Sequence, residues 1–351
     1  NPTDQSMTEP TTIESVGFKT SELTYAAPDG PRTLPVYFWY PSAETDGVRP
    51  RYNGFLLSEG AFENAPLIDN RMLPVLLFSH GKRGLGAATS IFMLEYFARQ
   101  GWLVVSWEHT GDTTFNADGT DLTYLHRPLD ISAVIDHIFD TDATHDFASH
   151  ASNDILVSGH SRGGYGALAV GGALFDVQEA QTQCTSENMS EYCQAFARFP
   201  NQFETGFLDE RVRGLILLAS GDFARFGVGV SNVQIPVMQW TAGDDRNNPN
   251  AIDGDPIWSN LSAPAVRFDI ANGGHFTFTS ICQIVGPLGE NNGCDDDDYP
   301  LAAAHELVNQ YAYMFAQGFI LGDDTQRLNL STLSSSDLED PNVTLTVKVT
   351  E

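Results

Sequence analysis

No apolar run in this chain reaches the roughly eighteen residues that a membrane-crossing helix needs, so membrane insertion is not expected. Positive charge is scarce: 18 Lys and Arg stand against 46 Asp and Glu, a formal net charge of -28 at pH 7. That field repels phosphate backbones and anionic membranes, which argues against nucleic acid as a partner. A hydrated, solubilising surface suited to salty water, where charge is screened, accounts for the excess acid without a cationic partner. "CDDDDYP" at 294–300 lacks the spacing of an EF-hand loop and reads as a solvated acidic loop. C-x-x-C and H-E-x-x-H are both absent, and no tight His/Asp cluster occurs. Neither a catalytic metal nor another cofactor is expected.

Cysteine is sparse but patterned. Cys184 lies near Cys193 and Cys282 near Cys294. The even count, the polar N-terminus and the absence of a charged-then-apolar leader favour two disulfides and an exported protein, secreted or periplasmic. Four buried free thiols are the alternative. The opening "NPTDQSMTEPTTIES" reads as a polar tail left by processing, residues 1–16. The sequons at Asn188, Asn260, Asn329 and Asn342 are no more numerous than composition predicts, and carry no argument for glycosylation.

With 351 residues and 42% hydrophobic side chains, the chain can bury a substantial core. "VGFKTSELTYAAPDGPRTLPVYFWYPS" predicts two antiparallel strands about a Pro-Asp-Gly turn. "LPVLLFSHG" predicts a strand covered on both faces, and "SIFMLEYFARQG" a helix closed by Gly101. "WLVVSWEHTG" is the next strand, and "PLDISAVIDHIFD" the next helix, opened by Pro128. "DILVSG", "VRGLILLAS", "IPVMQWTAG" and "PAVRFDIANGG" are strand-like, and 301–321 is a long closing helix. Alternating strands and helices predict an α/β fold with a mostly parallel central sheet and helices on both faces. Two segments break the rhythm. Residues 172–212 read as an inserted lid, and 322–351 as a Ser/Asp-rich linker before "NVTLTVKV", an edge strand.

Within "DILVSGHSRGGYGAL", Ser161 stands between glycines where a strand turns into a helix. Gly at about 7% of an average protein makes G-x-S-x-G a chance event in roughly one chain in ten of this length. Context decides. Ligands of a doubly wound sheet bind beyond the carboxyl ends of the strands. At those ends stand Ser79, His80, Gly81 and Lys82; then Ser161; then Asp244 and Asp245; then His275. Nucleophile, acid and histidine occur in the chain order of an α/β-hydrolase triad.

At these motifs the chain resembles the α/β-hydrolases identified as predicted dienelactone hydrolases. These are close to platelet-activating-factor acetylhydrolases and bacterial cutinase-like polyester hydrolases. The resemblance spans roughly 17–322 and rests on "PVLLFSHG", "GWLVVSWEHTG", "RPLDISAVID", "GHSRGGYGAL", "IPVMQWTAGDD" and "GGHFTF". It implies Ser161 as nucleophile, His275 as base, and the backbone N–H groups of Lys82 and Arg162 as oxyanion donors. The polyester-hydrolase pattern puts the acid nine residues after a strand-opening proline, hence Asp245 after Pro236. A one-residue shift selects Asp244, and the acetylhydrolase arrangement selects Asp222. True dienelactone hydrolases use cysteine, so Ser161 argues against that activity. Lys82 and "ASGDF" replace the aromatic residues of polyester hydrolases, which puts polymer binding in doubt.

Other polar residues take quieter roles. His80 braces the oxyanion loop, and Glu108 and His109 form a structural network beside it. His126, His137, His145 and His150 are surface or packing residues, and Trp240 belongs to the core. The expectation is one α/β-hydrolase domain, 17–322, with a lid at 172–212 and an extension at 323–351. It would be a serine carboxylesterase for small to medium carboxylic esters. The alternative is a polyester or lipid-ester hydrolase with the same triad; a non-catalytic binding protein of the fold is remote. The expected partner is a small-molecule or polymeric ester, with the oligomeric state open.

Overall fold

The computed structural model describes residues 15–68, 71–262, 264–286 and 292–348. Residues 1–14 of the tail and 349–351 of the extension lie outside the described residues.

Strands β1 (Ser15–Ala27) and β2 (Gly30–Ser42) form an antiparallel hairpin turned at Pro28 and Asp29. A ribbon of β3 (Arg51–Tyr52) and β4 (Leu56–Leu57) follows, then the short β5 (Ala61–Glu63). From there strands and helices alternate: β6 (Leu73–Ser79), α1 (Ile91–Arg99), β7 (Leu103–Trp107), α2 (Thr123–Phe139), β8 (Ala151–His160) and α3 (Arg162–Val170). Helices α4 (Val177–Gln183), α5 (Glu191–Arg198) and α6 (Pro200–Thr205) interrupt the alternation. It resumes with β9 (Val212–Leu218), β10 (Val237–Ala242), α7 (Gly254–Asn260), β11 (Ala265–Ile270), α8 (Cys282–Val285) and α9 (Leu301–Phe315). The chain closes with α10 (Asp324–Thr332) and β12 (Val343–Lys348).

One ten-stranded sheet results, in the order β12-β11-β10-β9-β8-β6-β7-β2-β1-β5. The run from β7 to β11 is parallel throughout; β2 joins it antiparallel on one side and β12 on the other. Central strands read as unbroken apolar runs because both faces are covered. In β8, Ile155 and Val157 face a core with Val134 of α2 and Leu168 of α3. Leu156 faces the opposite core, with Phe97 of α1 and Phe315 of α9. Among the described residues no helix is long and apolar enough to cross a membrane.

Two local expectations need correction. Helix α2 starts at Thr123, so Pro128 lies inside it rather than opening it. Proline cannot donate the i→i−4 bond, which here would go to Tyr124. The Tyr165 hydroxyl donates to that carbonyl instead, at 2.7 Å. Likewise the stretch read as a linker carries α10, capped by Asp323, whose carboxylate accepts the amides of Thr325 and Gln326. Leu330 and Val343 are buried in the core that α1 and α9 cover, so the C-terminal extension is packed rather than loose. Gly101, at φ 88°, does close α1, with the Trp102 amide donating back to Phe97 O at 3.1 Å.

Candidate active site

Ser161 sits between β8 and α3 with φ 54° and ψ −121°, a conformation that L-residues rarely adopt. Two close approaches allow the bend. A Cβ on Gly163 would lie 1.9 Å from Ser79 O, and one on Gly159 would lie 2.2 Å from Gly163 C. The Ser161 amide donates to Leu218 O at 2.9 Å, tying the bend to β9. Small residues here let three chain segments meet, and the serine side chain projects beyond the strand ends.

His275 follows β11 and is buried. Its Nδ1 donates to Asp245 Oδ2 at 2.8 Å, which leaves Nε2 as the unprotonated nitrogen of the neutral ring. Asp245 Oδ1 accepts the amides of Asn247 and Asn248, each at 2.8 Å. Burial works to raise the Asp245 pKa. The hydrogen bond and charge of His275, with the two amides, outweigh it and hold the carboxyl below its ordinary value. His160 Nε2 donates to His275 O at 2.9 Å. Burial, and then the charge of His275, push the His160 pKa down to about 3, so that ring stays neutral.

The other acid candidates lie elsewhere. Asp244 is exposed, its amide donating to Gly273 O. Asp222 accepts from the Tyr124 hydroxyl at 2.5 Å and lies 3.7 Å from the Arg162 guanidinium.

The turn after β6 is fixed from beneath by Arg127, whose side chain is fully buried. It donates to His80 O, to Gly81 O at 2.9 Å and to Asp112 Oδ2 at 2.8 Å. Asp112 Oδ1 accepts the Arg83 amide at 3.1 Å. His80 Nδ1 donates to Gly81 O at 2.7 Å, and its Nε2 accepts the His109 amide at 3.0 Å. His109 Nδ1 donates to Asp130 Oδ2 at 2.7 Å, and Arg32 grips both oxygens of that aspartate. Among the described residues, the amides of Lys82 and Arg162 have no acceptor.

Ser161 and His275 line one cleft of about 540 Å³, walled by Gly81 to Gly84, Thr114, Asn247, Phe276, Thr279 and Ile281. A larger surface groove of 760 Å³ runs between the hairpin and α2, distant from Ser161. Within 172–212, Tyr192 packs edge-on against Tyr124 of α2, and Phe196 and Phe203 join the same core. From this segment Glu191 reaches Lys82 and Arg162. Disulfides join Cys184 to Cys193 and Cys282 to Cys294, the second just beyond the cleft wall. Trp240 stacks on Phe268 inside the core, and Glu108 accepts from Gly86, Asn53 and Tyr37. His126 and His137 bond Asp29 and Ser21, away from the cleft.

Sequence reasoning missed Arg127, Asp112, Asp130, Asn248 and Glu191. Arg127 and Asp130 lie in the quoted "RPLDISAVID", where an Arg and an Asp inside an apolar helix pattern were the available signal. Asn248 donates to Ala219 O at 2.7 Å and, more weakly, to Ser161 Oγ at 3.4 Å.

Comparison with protein-family models returns no match, and neither does comparison of the sequence with curated proteins. Among solved structures, the chain is similar to a ferulic acid esterase from Streptomyces cinnamoneus, with a TM-score of 0.67 at 19% identity. The likeness covers 96% of this chain and 98% of that one. Identity this low speaks for architecture, and with the parallel sheet and its covering helices it establishes the α/β-hydrolase fold.

Proposed function

We propose that the protein is a serine carboxylesterase that hydrolyses small to medium carboxylic esters through an acyl-enzyme. The observation that carries this is the 2.8 Å bond from His275 to Asp245 beside a serine held at φ 54°. In this mechanism His275 Nε2 takes the Ser161 proton as Oγ attacks the ester carbonyl. The negative charge that develops on the carbonyl oxygen is received by the amides of Lys82 and Arg162. His275 then protonates the departing alkoxide, leaving an acyl group on Ser161. Water, deprotonated by the same imidazole, releases the acid. Asp245 holds the tautomer and stabilises the imidazolium at each step.

The cleft of about 540 Å³ suits a small or medium ester. Residues 172–212 act as a lid-like flank within a single catalytic domain, and the two disulfides fit an exported protein. The structural neighbour's description as an esterase accords with ester chemistry. One feature favours a second reading, a polymeric or lipid ester. Phe55 and Phe115 are both exposed and stack at 5.6 Å, and Phe115 follows Thr114 of the cleft wall.

A fluorophosphonate probe and a panel of esters from short to long acyl chains test the proposal. Ser161 is expected to carry the phosphonyl adduct, and Ser161→Ala to fold normally but lose turnover. Retention of more than about a hundredth of the unaltered kcat would refute the assignment, since loss of a triad member costs far more. A preference for long acyl chains would favour the second reading.

A further inference from the structure

Glu191, the first residue of α5, uses its two carboxylate oxygens on two different segments. Oε1 takes the Lys82 ammonium at 2.8 Å, and Oε2 takes Arg162 Nη1 at 2.6 Å. Lys82 belongs to the turn after β6, and Arg162 opens α3 immediately after Ser161. One carboxylate from a third part of the chain therefore joins the two residues whose amides lack acceptors among the described residues.

The carboxylate is itself held. The Ser190 side chain caps α5 by accepting the Cys193 amide, and the disulfide ties Cys193 to the end of α4. Tyr192 is buried, with the Arg225 guanidinium 4.6 Å from its ring centroid. Arg162 is gripped on its other side, 4.7 Å over the Tyr124 ring and 3.7 Å from Asp222. The side chains of Arg162 and Glu191 are only 12% and 22% exposed, so the ion pair is less screened than a surface pair.

We propose that Glu191 is a positioning residue, which by holding Lys82 and Arg162 together sets the spacing of the two amides that receive the oxyanion. It rests on the reading of Ser161 as nucleophile. Oxyanion donors work because they are aligned before charge develops, and small displacements are costly. Arg127 and Asp112 brace the Lys82 turn from below, and Asp112 attracts Arg162 at longer range, whereas Glu191 pairs directly with both Lys82 and Arg162. Without the Glu191 charge, two neighbouring cations repel each other, and the turn moves away from the head of α3.

The test uses the full chain with a short-chain p-nitrophenyl ester. A trifluoromethyl ketone, which adds to a serine and places an oxyanion between the same donors, supplies a second readout. Glu191→Gln is expected to lower kcat about tenfold with little change in KM, a fraction of the loss of a whole donor. It should weaken the ketone by the same factor, with an unchanged melting temperature. Glu191→Asp, which keeps the charge but shortens the reach, is expected to fall between. In a Lys82→Met/Arg162→Met background, which keeps both amides but removes both cations, Glu191→Gln is expected to change neither readout. The proposal is overturned if Glu191→Gln keeps kcat within twofold, loses only KM with ketone affinity intact, or costs as much in the Met/Met background. Failure of the underlying reading looks different: the unaltered protein would not be labelled at Ser161.

Discussion

At the scale of single residues, the proposal of Asp245 as the acid rests on contacts that Asp244 and Asp222 do not make. Its Oδ2 faces His275 Nδ1 at 2.8 Å, while Oδ1 is occupied by two amides. In the proposed mechanism the carboxylate sets the His275 tautomer. Asp245→Asn offers an amide where the imidazole N–H needs an acceptor, and kcat is expected to fall by about 10⁴. Asp244→Asn changes an exposed side chain, and Asp222→Asn perturbs the Tyr124 and Arg162 contacts rather than His275. Both are expected to cost far less, in assays at one pH with folding checked by thermal melt. A crippled Asp222→Asn with an active Asp245→Asn would refute the assignment. Part of this was legible in the chain: the resemblance to polyester hydrolases pointed to Asp245 after Pro236, and the glycines around Ser161 marked the bend. Asn248, Arg127 and Glu191 were not, because their partners lie far off in sequence, and only packing brings them together.

At the scale of elements, the parallel strands were legible because each is a short apolar run ending in polar residues. Helices α1 and α9 begin where the pattern put them, but α2 does not. Pro128 looked like an opening residue, yet α2 runs through it because Tyr165 of α3 supplies the missing donor to Tyr124 O. This bond also joins α2, which carries Arg127, to α3, which begins after Ser161. Tyr165 is fully buried, so Tyr165→Phe leaves a buried carbonyl without its partner. The expected cost is about 1–3 kcal/mol, read from denaturant unfolding. Pro128→Ala restores a backbone N–H four residues after Tyr124, and in that background Tyr165→Phe is expected to cost much less. Equal costs in both backgrounds would show that the hydroxyl does not replace the proline's missing bond. The flank of the cleft was also hard to read. Its wall comes from the turn after β6, from Thr114 and Asn247 and from 276–281, while residues 172–212 reach it through Glu191.

At the scale of the whole molecule, charge sets two effects against each other. The chain carries a net charge of -28, so spreading acid over one folded surface costs self-repulsion. Against that, many of its few cations are engaged in ion pairs, including Arg127 with Asp112, Arg32 with Asp130 and Arg211 with Asp209. Added salt weakens both, but not equally. The first two pairs lie in the interior, where screening is poor, whereas carboxylates such as Asp118, Asp244, Asp296 and Asp297 face solvent and interact across the surface. The Debye length shrinks from about 30 Å at 0.01 M to about 3 Å at 1 M salt, which removes most of the long-range repulsion and little of the buried pairing. The melting temperature is therefore expected to rise by several degrees over that range of sodium chloride. Choline chloride is expected to produce the same rise, since screening depends on ionic strength and not on a sodium site. A flat or falling melting temperature in both salts would mean that exposed ion pairs outweigh the self-repulsion. A rise in sodium chloride alone would point to a bound cation in place of a screened surface.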